Sequence, residues 1–583
     1  MTAETVNHVG MREELDSAAA VGVRRAPGTD IAARGEPALF VLGGALALGL
    51  LMILGFLALV LWNGVVAFWP QPIEVVELAD GELAAGEPRR SESFRPPDSQ
   101  LAALAPERRA KIEAAGGLAH RTLYRIGNYD LYNEDFLWIP DFARKSAARP
   151  TDMMLIERLE WGPFVGRIRS VSVDGVERSR SELAEGELGR LHDEARARWR
   201  RIRDIERGEI GAVNRKIEEG RLDLRAIALR SGAASAEYKS AAARFEAEAA
   251  ELQKRYDALA AEAARIRQRD AQVQITLADV KGATKTLPLS AVVRMYPANA
   301  LDLPGKIGVY LSRWWEFLSE EPREANTEGG VWPAIFGTAA MTLLLVVVVA
   351  PFGIVTALYL REYARQGRLV SLVRISVNNL AGVPSIVYGV FGLGFFAYLL
   401  GGTIDSVFHP ERLPNPTFGT GGLLWASLTL ALLTVPVVIV ATEEALAAVP
   451  RSMREGALAC GASKWQTIRT IVLPRALPGI LTGVILAMAR GAGEVAPLML
   501  VGVVKLAPEL PIDGVFPFIH LERSFMHLGF HIYDVGFQSR NAEAGKPMVY
   551  MTTLLLIALV FSMNIAAIVI RNRLKRRFAG SQF

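Results

Sequence analysis

Hydrophobic residues of this chain are gathered into six long runs, which polar stretches of very different lengths separate. A window of about 18 or more apolar residues is long enough to cross a bilayer as a helix. Such windows lie at roughly 38–62, 335–360, 375–400, 421–442, 478–501 and 549–570. The first run is longer than the apolar core of a signal peptide, and Trp62-Asn63-Gly64 is no small-residue cleavage site. We therefore expect six transmembrane helices.

Lysine and arginine are distributed unevenly among the loops, and short basic loops tend to remain in the cytoplasm. Basic residues cluster after the second run, in the polar segment 443–475 and after the last run, whereas loop 401–420 has only Arg412. Both termini and segment 443–475 are therefore predicted to be cytoplasmic, with tails at 1–37 and 571–583. This topology accounts for the net charge of +4 and gives no reason to expect a nucleic-acid partner.

The polar stretch 63–330 between the first two runs is long enough for an additional soluble domain, which this orientation makes extracytoplasmic. Residues 86–106 are charged and rich in proline, which is typical of a linker. Short strands are predicted at 121–125, 136–140, 153–159 and 165–173, with a hairpin turn at Asp174-Gly175. Val273, Ile275 and Leu277 alternate as a strand, Lys281-Gly282 is a turn, and residues 287–295 are expected to pair back.

Residues 181–270 are rich in alanine, glutamate, arginine and leucine. In their second half, apolar residues recur at alternating spacings of four and three, the pattern of a coiled-coil seam. These residues are Tyr238, Ala242, Phe245, Ala249, Leu252, Tyr256, Leu259, Ala263 and Ile266. Gly220 and Ser231-Gly232 are both places where the chain can reverse. The extracytoplasmic region is thus predicted to be an α+β domain that carries a coiled-coil helical hairpin.

The polar segment Glu443–Pro474, between the fourth and fifth runs, contains start signals for two helices. Ser452 with Glu455, and Ser463 with Gln466, have the spacing of capping boxes, in which a hydroxyl and a side-chain oxygen satisfy free amides. Two short cytoplasmic helices joined by a turn are therefore predicted.

Gly461 can take the left-handed conformation that ends the first of these helices. The second is expected to end near Val472, because a residue that precedes a proline is disfavoured in a helix. The fixed points Glu455-Gly456-Ala457, Gly461, and Ile471-x-Leu473-Pro474 resemble the EAA signature of ABC importer permeases, with Gly456 in place of the first alanine. The resemblance implies that these seven residues belong to a loop that docks on a separate ATPase.

The third run is interrupted by polar residues and proline, namely Asn378, Asn379, Pro384 and Ser385, and glycines lie along it. Such residues occur where helices pack closely or where a cavity is lined. The stretch Ala381–Gly389 resembles one in permeases of the phosphate-specific ABC importer. Residues 442–452 and Gly493-Glu494-Val495-Ala496-Pro497-Leu498 narrow the resemblance to its PstA-type subunit over about 330–583. Asn378, Asn379 and Ser385 are then candidates for the substrate path.

Arg490 and Glu494 are a pair of ionisable residues within a predicted span, four apart and so on one helix face. A charge in the bilayer costs at least about 2.5 kcal/mol and generally faces a protein interior or a water-filled path. The pair is either a structural neutralisation or part of that path. The arginine fork suits phosphate oxygens, and the resemblance favours the path.

The resemblance implies a multi-pass protein of the bacterial inner membrane that is not an enzyme. Its implied partners are a second, PstC-type permease, a dimer of ATP-binding subunits and an extracytoplasmic phosphate-binding protein, besides membrane lipid. ATP is expected to be used by a partner subunit, because neither Gly305-Lys306 nor Gly545-Lys546 completes a phosphate-binding loop.

Other chemistry has weaker signals. Cys460 is the single cysteine, which excludes an intrachain disulfide and a cysteine cluster. His520, His527 and His531 precede the last run, and their surroundings contain no carboxylate pattern that completes a metal site. We expect no metal and no cofactor in this chain. Two alternatives remain: a permease for another oxyanion or small solute, and a membrane-anchored sensor or scaffold that acts through the coiled coil.

Overall fold

The computed structural model describes residues 37–579 except 103, 185, 508, 515, 517, 540 and 541. Of the two predicted tails, residues 1–36 and 580–583 lie outside the described residues. The chain divides between Trp62 and Asn63 into two units.

Helices make up most of the described chain. In order they are α1 (Pro37–Val66), α2 (Asp98–Ala102), α3 (Pro106–Ala114), α4 (Tyr129–Tyr132), α5 (Glu187–Arg203), α6 (Ile210–Ser231), α7 (Ala236–Ala271), α8 (Leu303–Ser319), α9 (Trp332–Leu358), α10 (Arg368–Leu380), α11 (Ser385–Phe391), α12 (Gly402–Phe408), α13 (Leu423–Ala447), α14 (Arg451–Ala459), α15 (Lys464–Thr467), α16 (Leu473–Gly493), α17 (Leu498–Val501), α18 (Leu528–Tyr533) and α19 (Ala542–Ala579). Segments of π-helix extend or join several of them, at Asp204–Glu209, Tyr359–Tyr363, Gly392–Gly401, Ile468–Val472 and Asp534–Gln538.

Six helical stretches of the described chain are long and apolar enough to cross a membrane, as the hydrophobic runs predicted. They are Phe40–Val66, Trp332–Tyr363, Ser385–Phe408, Leu423–Ala447, Lys464–Gly493 and Ala542–Arg576. The predicted start of the third, at 375, is wrong. A separate amphipathic helix, α10, ends at Leu380, and the chain resumes as α11 only after Pro384, because a proline disfavours helix in the residue before it.

The described residues of region 63–330 contain thirteen strands. They are β1 (Glu74–Leu78), β2 (Leu83–Phe94), β3 (Ala119–Arg125), β4 (Phe136–Pro140), β5 (Arg144–Ala148), β6 (Met154–Arg158), β7 (Phe164–Val173), β8 (Val176–Ser179), β9 (Val273–Ala278), β10 (Thr284–Pro288), β11 (Val292–Pro297), β12 (Pro322–Arg323) and β13 (Glu328–Gly329). One sheet has the order β4-β3-β2-β1-β5, and the other has β10-β9-β7-β6-β11 with β8 against β7. The short strands β12 and β13 pair with each other, and the region is mixed α and β, as predicted.

Two sequence predictions for this region are wrong. The supposed linker 86–106 contains most of β2 and the short helix α2. Proline is tolerated in β2 because the register with β3 shifts between Pro88 and Arg90, where ladder pairing is interrupted. Residues 287–295 do not form one returning strand, since β10 pairs with β9 whereas β11 pairs with β6.

An antiparallel helical hairpin is inserted between β8 and β9. Its first arm is α5 and α6, and its second arm is α7, against which both pack. The chain reverses at Gly232, which has a positive φ of 82°, and Ser235 caps α7 by accepting from the Tyr238 amide at 3.1 Å. Gly220 remains helical instead, and the Phe245 ring of the other arm lies 2.5 Å from where a Cβ would stand.

A buried ion network joins β6 and β11 to α8 at the base of this domain. Glu157 accepts from Arg313 Nη2 at 2.5 Å and is paired with Arg294. Burial alone would raise the pKa of Glu157, but the two guanidinium groups outweigh it and hold that pKa at about 2. The carboxylate is therefore ionised wherever the domain is folded at neutral pH.

The membrane core is built around α13, which packs against α9 and α16. Small residues allow the close approach, since a Cβ on Gly483 would lie 2.4 Å from Ala441 Cβ and one on Gly479 would lie 2.6 Å from Ala445 Cβ. Met341, Leu345, Leu430, Leu433 and Ala487 are among the residues that fill the shared core. This packing fixes both ends of α16, where the candidate functional residues lie.

Candidate functional site

The polar segment between the fourth and fifth spans begins with α14. Pro450 precedes this helix and provides no side-chain cap. The predicted capping box of Ser452 with Glu455 is wrong because α14 already begins at Arg451, so Ser452 lies inside the first turn and not at its N-cap. Glu455 and Gly456 are exposed on the helix.

The turn after α14 is as predicted. Gly461 has a φ of +83°, its amide donates to Leu458 O at 2.9 Å, and the Ala462 amide donates to Ala457 O at 3.1 Å. These two bonds form a Schellman motif, which satisfies carbonyls at the helix end. The turn therefore depends on a residue that tolerates the left-handed region.

The second capping box is also confirmed. The Gln466 amide donates to Ser463 Oγ at 3.2 Å, and the Ser463 amide donates to Gln466 Oε1 at 2.8 Å. Ser463 thus starts α15 directly after the Gly461 turn. We call residues 451–467, which lie within the predicted segment 443–475, the coupling loop, after the role that is proposed for it below.

The second helix does not end near Val472, so that prediction is wrong. It continues through the π-helical segment Ile468–Val472 into α16, with Pro474 in the first turn of α16 and Leu473 itself helical. A π turn changes the hydrogen-bond pattern, which allows a proline without an amide proton to be accommodated. Leu473 packs against the cluster that includes Leu446 and Ala476, and Ile471 is half-buried.

Arg454 fastens the coupling loop to the membrane core, a role that the sequence signals did not reveal. Its guanidinium donates to Val449 O and Leu446 O, both at 2.7 Å, and to Glu362 Oε1 at 3.1 Å. The two carbonyls lie at and just beyond the C-terminal end of α13, where a cation is favourable. Arg454 therefore links α14 to the end of α13 and, through Glu362, to the end of the second span.

The outer surface of the coupling loop carries apolar side chains in contact with solvent. Leu458 is 50% exposed and Trp465 is 52% exposed, and Cys460 between them is exposed as well. Ala457, by contrast, is half-buried. Large exposed apolar residues in a polar, otherwise charged loop are typical of a surface that binds another protein.

Two motifs that lie about a hundred residues apart in sequence meet in the membrane core. A Cβ on Gly389 of α11 would lie only 2.7 Å from Pro497 Cα, so glycine is required for this contact. The neighbouring Tyr388 is buried, and its hydroxyl donates to Leu380 O at 2.7 Å across the break between α10 and α11. The stretches 381–389 and 493–498 thus form one contact region.

Arg490 and Glu494 border this region, although not on one helix. α16 ends at Gly493 and Glu494 has extended backbone angles, so the predicted shared helix face is wrong. The side chains still approach, with Arg490 Nε 3.9 Å from Glu494 Oε1, and they are 35% and 23% exposed. At that distance the carboxylate makes no hydrogen bond with the guanidinium, which leaves the donors of Arg490 available to another acceptor.

The other predicted path residues lie apart from this pair. Asn378 lines a cavity of about 190 Å³ with Arg374 and Glu443, whose side chains form an ion pair at 3.2 Å. Asn379 is exposed near the end of α10, and Ser385 is the first residue of α11. Asn379 and Ser385 therefore flank the break between the two helices, whereas Asn378 belongs to the contact between α10 and α13.

Comparisons with known proteins agree with this architecture. A family model described as "binding-protein-dependent transport system inner membrane component" matches residues 350–576. The chain is 36% identical over 204 residues to the probable ABC transporter permease protein YqgH of Bacillus subtilis. The matched residues cover 34% of this chain and 62% of that protein. It is 34% identical over 274 residues to phosphate transport system permease protein PstA 1 of Mycobacterium tuberculosis, which covers 47% of this chain and 81% of that protein. The chain belongs to the PstA family.

A solved structure, the MetNI methionine ABC transporter in inward-facing conformations, has a chain that is 20% identical to this PstA-family chain, with a TM-score of 0.30 over 45% of this chain and 98% of that one. As a member of its family the chain is an ABC importer permease subunit and not an enzyme, and ATP hydrolysis belongs to a separate subunit. The soluble domain and hairpin, at 67–330, lie outside the matched family region 350–576.

The three histidines of the loop before the last span make contacts within this PstA-family permease. His527 Nδ1 accepts from the Gly529 amide at 3.1 Å and so caps α18, His531 lies 3.4 Å from Thr552 Oγ1, and His520 contacts Asp513 Oδ1 at 3.0 Å. Burial lowers the pKa of His527 and of His531 to about 4. Within the described ranges, no group of three or more His, Cys, Asp or Glu side chains is arranged to hold a metal ion.

Proposed function

We propose that this chain is the PstA-type permease subunit of an ATP-driven importer of inorganic phosphate and forms half of the translocation path. The observation that carries the proposal is the 34% identity over 274 residues with a mycobacterial phosphate transport permease, of which the match covers 81%. The remaining steps concern how this chain would couple to the ATPase and where the anion would pass.

The coupling loop is the surface on which the ATPase docks in this proposal. Its exposed Leu458 and Trp465 supply apolar contact area, while Glu455 and Gly456 leave the rest of the α14 face accessible. Arg454 holds the loop to the carbonyls at the end of α13. ATP-driven movement of the docked subunit would thus be passed to the spans through rigid hydrogen bonds and not through a flexible linker.

Arg490 is the anion-binding group of the path in this proposal. A single fixed positive charge attracts an anion far more strongly in a low-dielectric region than in water. Glu494 lies 3.9 Å from Arg490 and would be its partner when no anion is present. Competition from this carboxylate would keep the anion from binding too tightly to be released. Asn379 and Ser385 are the neutral polar groups of the path at the break between α10 and α11, and Asn378 contributes at the cavity between α10 and α13.

The proposed topology has both termini and the coupling loop in the cytoplasm of a bacterial cell, with the chain in the inner membrane. The basic residues of loop 361–374 and of 571–577 support this orientation. Domain 63–330 is then extracytoplasmic. Its four-and-three apolar spacing supports a coiled coil, and residues of that seam such as Tyr256 and Leu259 face the first arm. The proposed partners are a PstC-type permease, an ATPase dimer and a phosphate-binding protein.

Uptake by reconstituted complexes tests the proposal. Assembled complexes with Arg490→Ala should lose phosphate uptake, and Arg490→Lys should impair it because lysine keeps the charge but lacks the bidentate fork. Arg365→Ala, which removes an exposed loop arginine, is the charge-matched control and should transport normally. Uptake near the wild-type rate in assembled Arg490→Ala complexes would remove this arginine from the mechanism. Competition by other oxyanions distinguishes phosphate from the alternative substrates.

A further inference from the structure

Helix α8 of the soluble domain has an apolar stripe that no other part of the described chain covers. Leu303, Ile307, Leu311 and Trp315 recur every four residues along it and are exposed, Leu303 by 63% and Trp315 by 73%. The opposite face is packed, with Phe317 fully buried and Arg313 in the ion network. The helix is therefore amphipathic, with its apolar side outward.

This helix is hydrogen-bonded to residues at the end of the first span and at the start of the second. Tyr310 Oη donates to Val65 O in the last turn of α1 at 3.0 Å, and Arg313 Nη1 donates to Phe68 O at 2.9 Å. At its other end, Phe317 O accepts from the Val331 amide, just before the second span begins, at 2.8 Å. Tyr310 also packs on Trp69, with ring centroids 5.7 Å apart. Aromatic side chains of this kind concentrate at the membrane interface.

A basic groove opens beside the stripe, where α5 faces α8. Its volume is about 560 Å³, and six arginines and four glutamates are among the described residues that line it. Four of the arginines form ion pairs, namely Arg203, Arg207, Arg294 and Arg323. The excess positive charge therefore belongs to Arg196 and Arg200, for which the described chain provides no carboxylate partner. Trp315 of the stripe also lines the groove, so the apolar face and the basic groove meet at one residue.

The groove's arginines are held in place, and part of their charge is uncompensated. Trp199 lies between Arg196 and Arg203, whose guanidinium carbons are 4.4 and 5.0 Å from its ring centroid. Arg196 donates to a backbone carbonyl, Ser290 O, at 3.1 Å. Burial, together with the nearby charges of Arg323 and Arg200, lowers the pKa of Arg196 to about 10. An added anion would relieve this crowding of positive charge.

We propose that α8 lies in the membrane interface with its apolar stripe among the acyl chains, and that the groove binds the phosphodiester of an anionic phospholipid. Guanidinium forks match phosphate oxygens, and a basic pocket beside an interfacial helix is the arrangement that favours anionic headgroups. Lipid is assigned to the stripe because α8 is hydrogen-bonded to Val65, where the first span ends, and to Val331, where the second begins. The inference goes beyond phosphate transport and does not depend on it.

Spin labels test the placement of α8. Nitroxides are attached to Ile307→Cys and Leu311→Cys in a Cys460→Ser background, with the full chain in nanodiscs of phosphatidylethanolamine and phosphatidylglycerol. Both labels should show high oxygen and low nickel-complex accessibility, like a label at the exposed span residue Phe561 and unlike one at Ser240 on the hairpin. Labels that behave like Ser240 would place α8 in water, and labels protected from both reagents would mean that protein covers it. Either result overturns the proposal.

Lipid retention tests the groove independently. Native mass spectrometry counts phosphatidylglycerol bound to the detergent-solubilised full chain and to the Arg196→Gln/Arg200→Gln variant. Retention should weaken about fivefold for each arginine removed, whereas Arg221→Gln/Arg225→Gln, which removes two exposed hairpin arginines, should retain lipid normally. Equal retention of phosphatidylcholine, or displacement of the lipid by inorganic phosphate alone, would contradict a phospholipid site.

Discussion

Substitution of Gly461 tests whether the coupling loop needs the left-handed backbone conformation at this position. Its φ is +83°, and a Cβ at this position would meet nothing within 4 Å, so a substitution costs conformational strain without steric overlap. For an ordinary L-residue that strain is about 1–2 kcal/mol, which is a factor of roughly 5 to 30 in the population of the Schellman turn. Asparagine tolerates the left-handed region better than other residues with a side chain.

The expected order of effects follows from these costs. Gly461→Val should lower phosphate uptake per ATP hydrolysed most, Gly461→Ala should lower it less, and Gly461→Asn should be closest to the wild type. Gly189→Ala is the control, because Gly189 lies in α5 of the hairpin, outside the docking surface, with open space around it. Alanine there should stabilise α5 by up to about 1 kcal/mol and leave coupling intact.

The assay measures ATP hydrolysis and phosphate uptake together in proteoliposomes that contain the assembled complex. Coupling is the ratio of the two rates, so a variant that merely inserts poorly lowers both rates and leaves the ratio unchanged. Gly461→Val with a wild-type ratio would refute the docking role of the loop. Equal loss in Gly461→Asn and Gly461→Val would refute the argument from backbone conformation.

Three further predictions concern packing, capping and charge. Gly389→Ala should destabilise the membrane core by at least about 1 kcal/mol, because its Cβ would overlap backbone atoms, whereas Gly394→Ala has open space and should be neutral in thermal unfolding. Ser463→Ala should cost about 1 kcal/mol of loop stability, and Ser452→Ala, which removes no cap, should cost almost nothing in hydrogen exchange of the loop amides. Glu157→Gln should destabilise the soluble domain by about 3–5 kcal/mol at neutral pH. The folded pKa of Glu157, about 2, is below its usual value. The greater stability of the wild type over Glu157→Gln should therefore be present above about pH 4.5 and disappear as the pH falls toward 2. Acid unfolding curves of the two proteins would show this.

The sequence predicted well those parts of the fold that depend on residues close to one another in the chain. The six hydrophobic runs, the Gly461 turn and the box of Ser463 with Gln466 are of this kind, since each depends on residues within a few positions of one another. Ser452 with Glu455 has the same spacing but forms no box. Pro450 starts the helix one residue earlier, so a spacing rule alone cannot assign the cap.

Features that depend on distant contacts could not be read from the sequence. Pro88 indicated a linker, yet β2 is a strand because β1 and β3 pair with it on both sides. Pro474 indicated a helix end, yet α15 continues into α16 through a π turn that the packing of Leu473 supports. Arg454 directly precedes the motif that begins at Glu455, yet its bonds to the carbonyls at the end of α13 could not be read from that motif.

Uptake of radiolabelled phosphate is the measurement that tests the central claim most directly. Proteoliposomes would contain the ATPase, the second permease and this chain, with the binding protein added outside and ATP inside. We predict ATP-dependent phosphate uptake that requires this chain. Excess sulfate should not suppress this uptake, and Arg490→Ala should abolish it in assembled complexes. Uptake that proceeds without this chain, or that sulfate suppresses as well as unlabelled phosphate does, would contradict the claim that the chain forms half of a phosphate path.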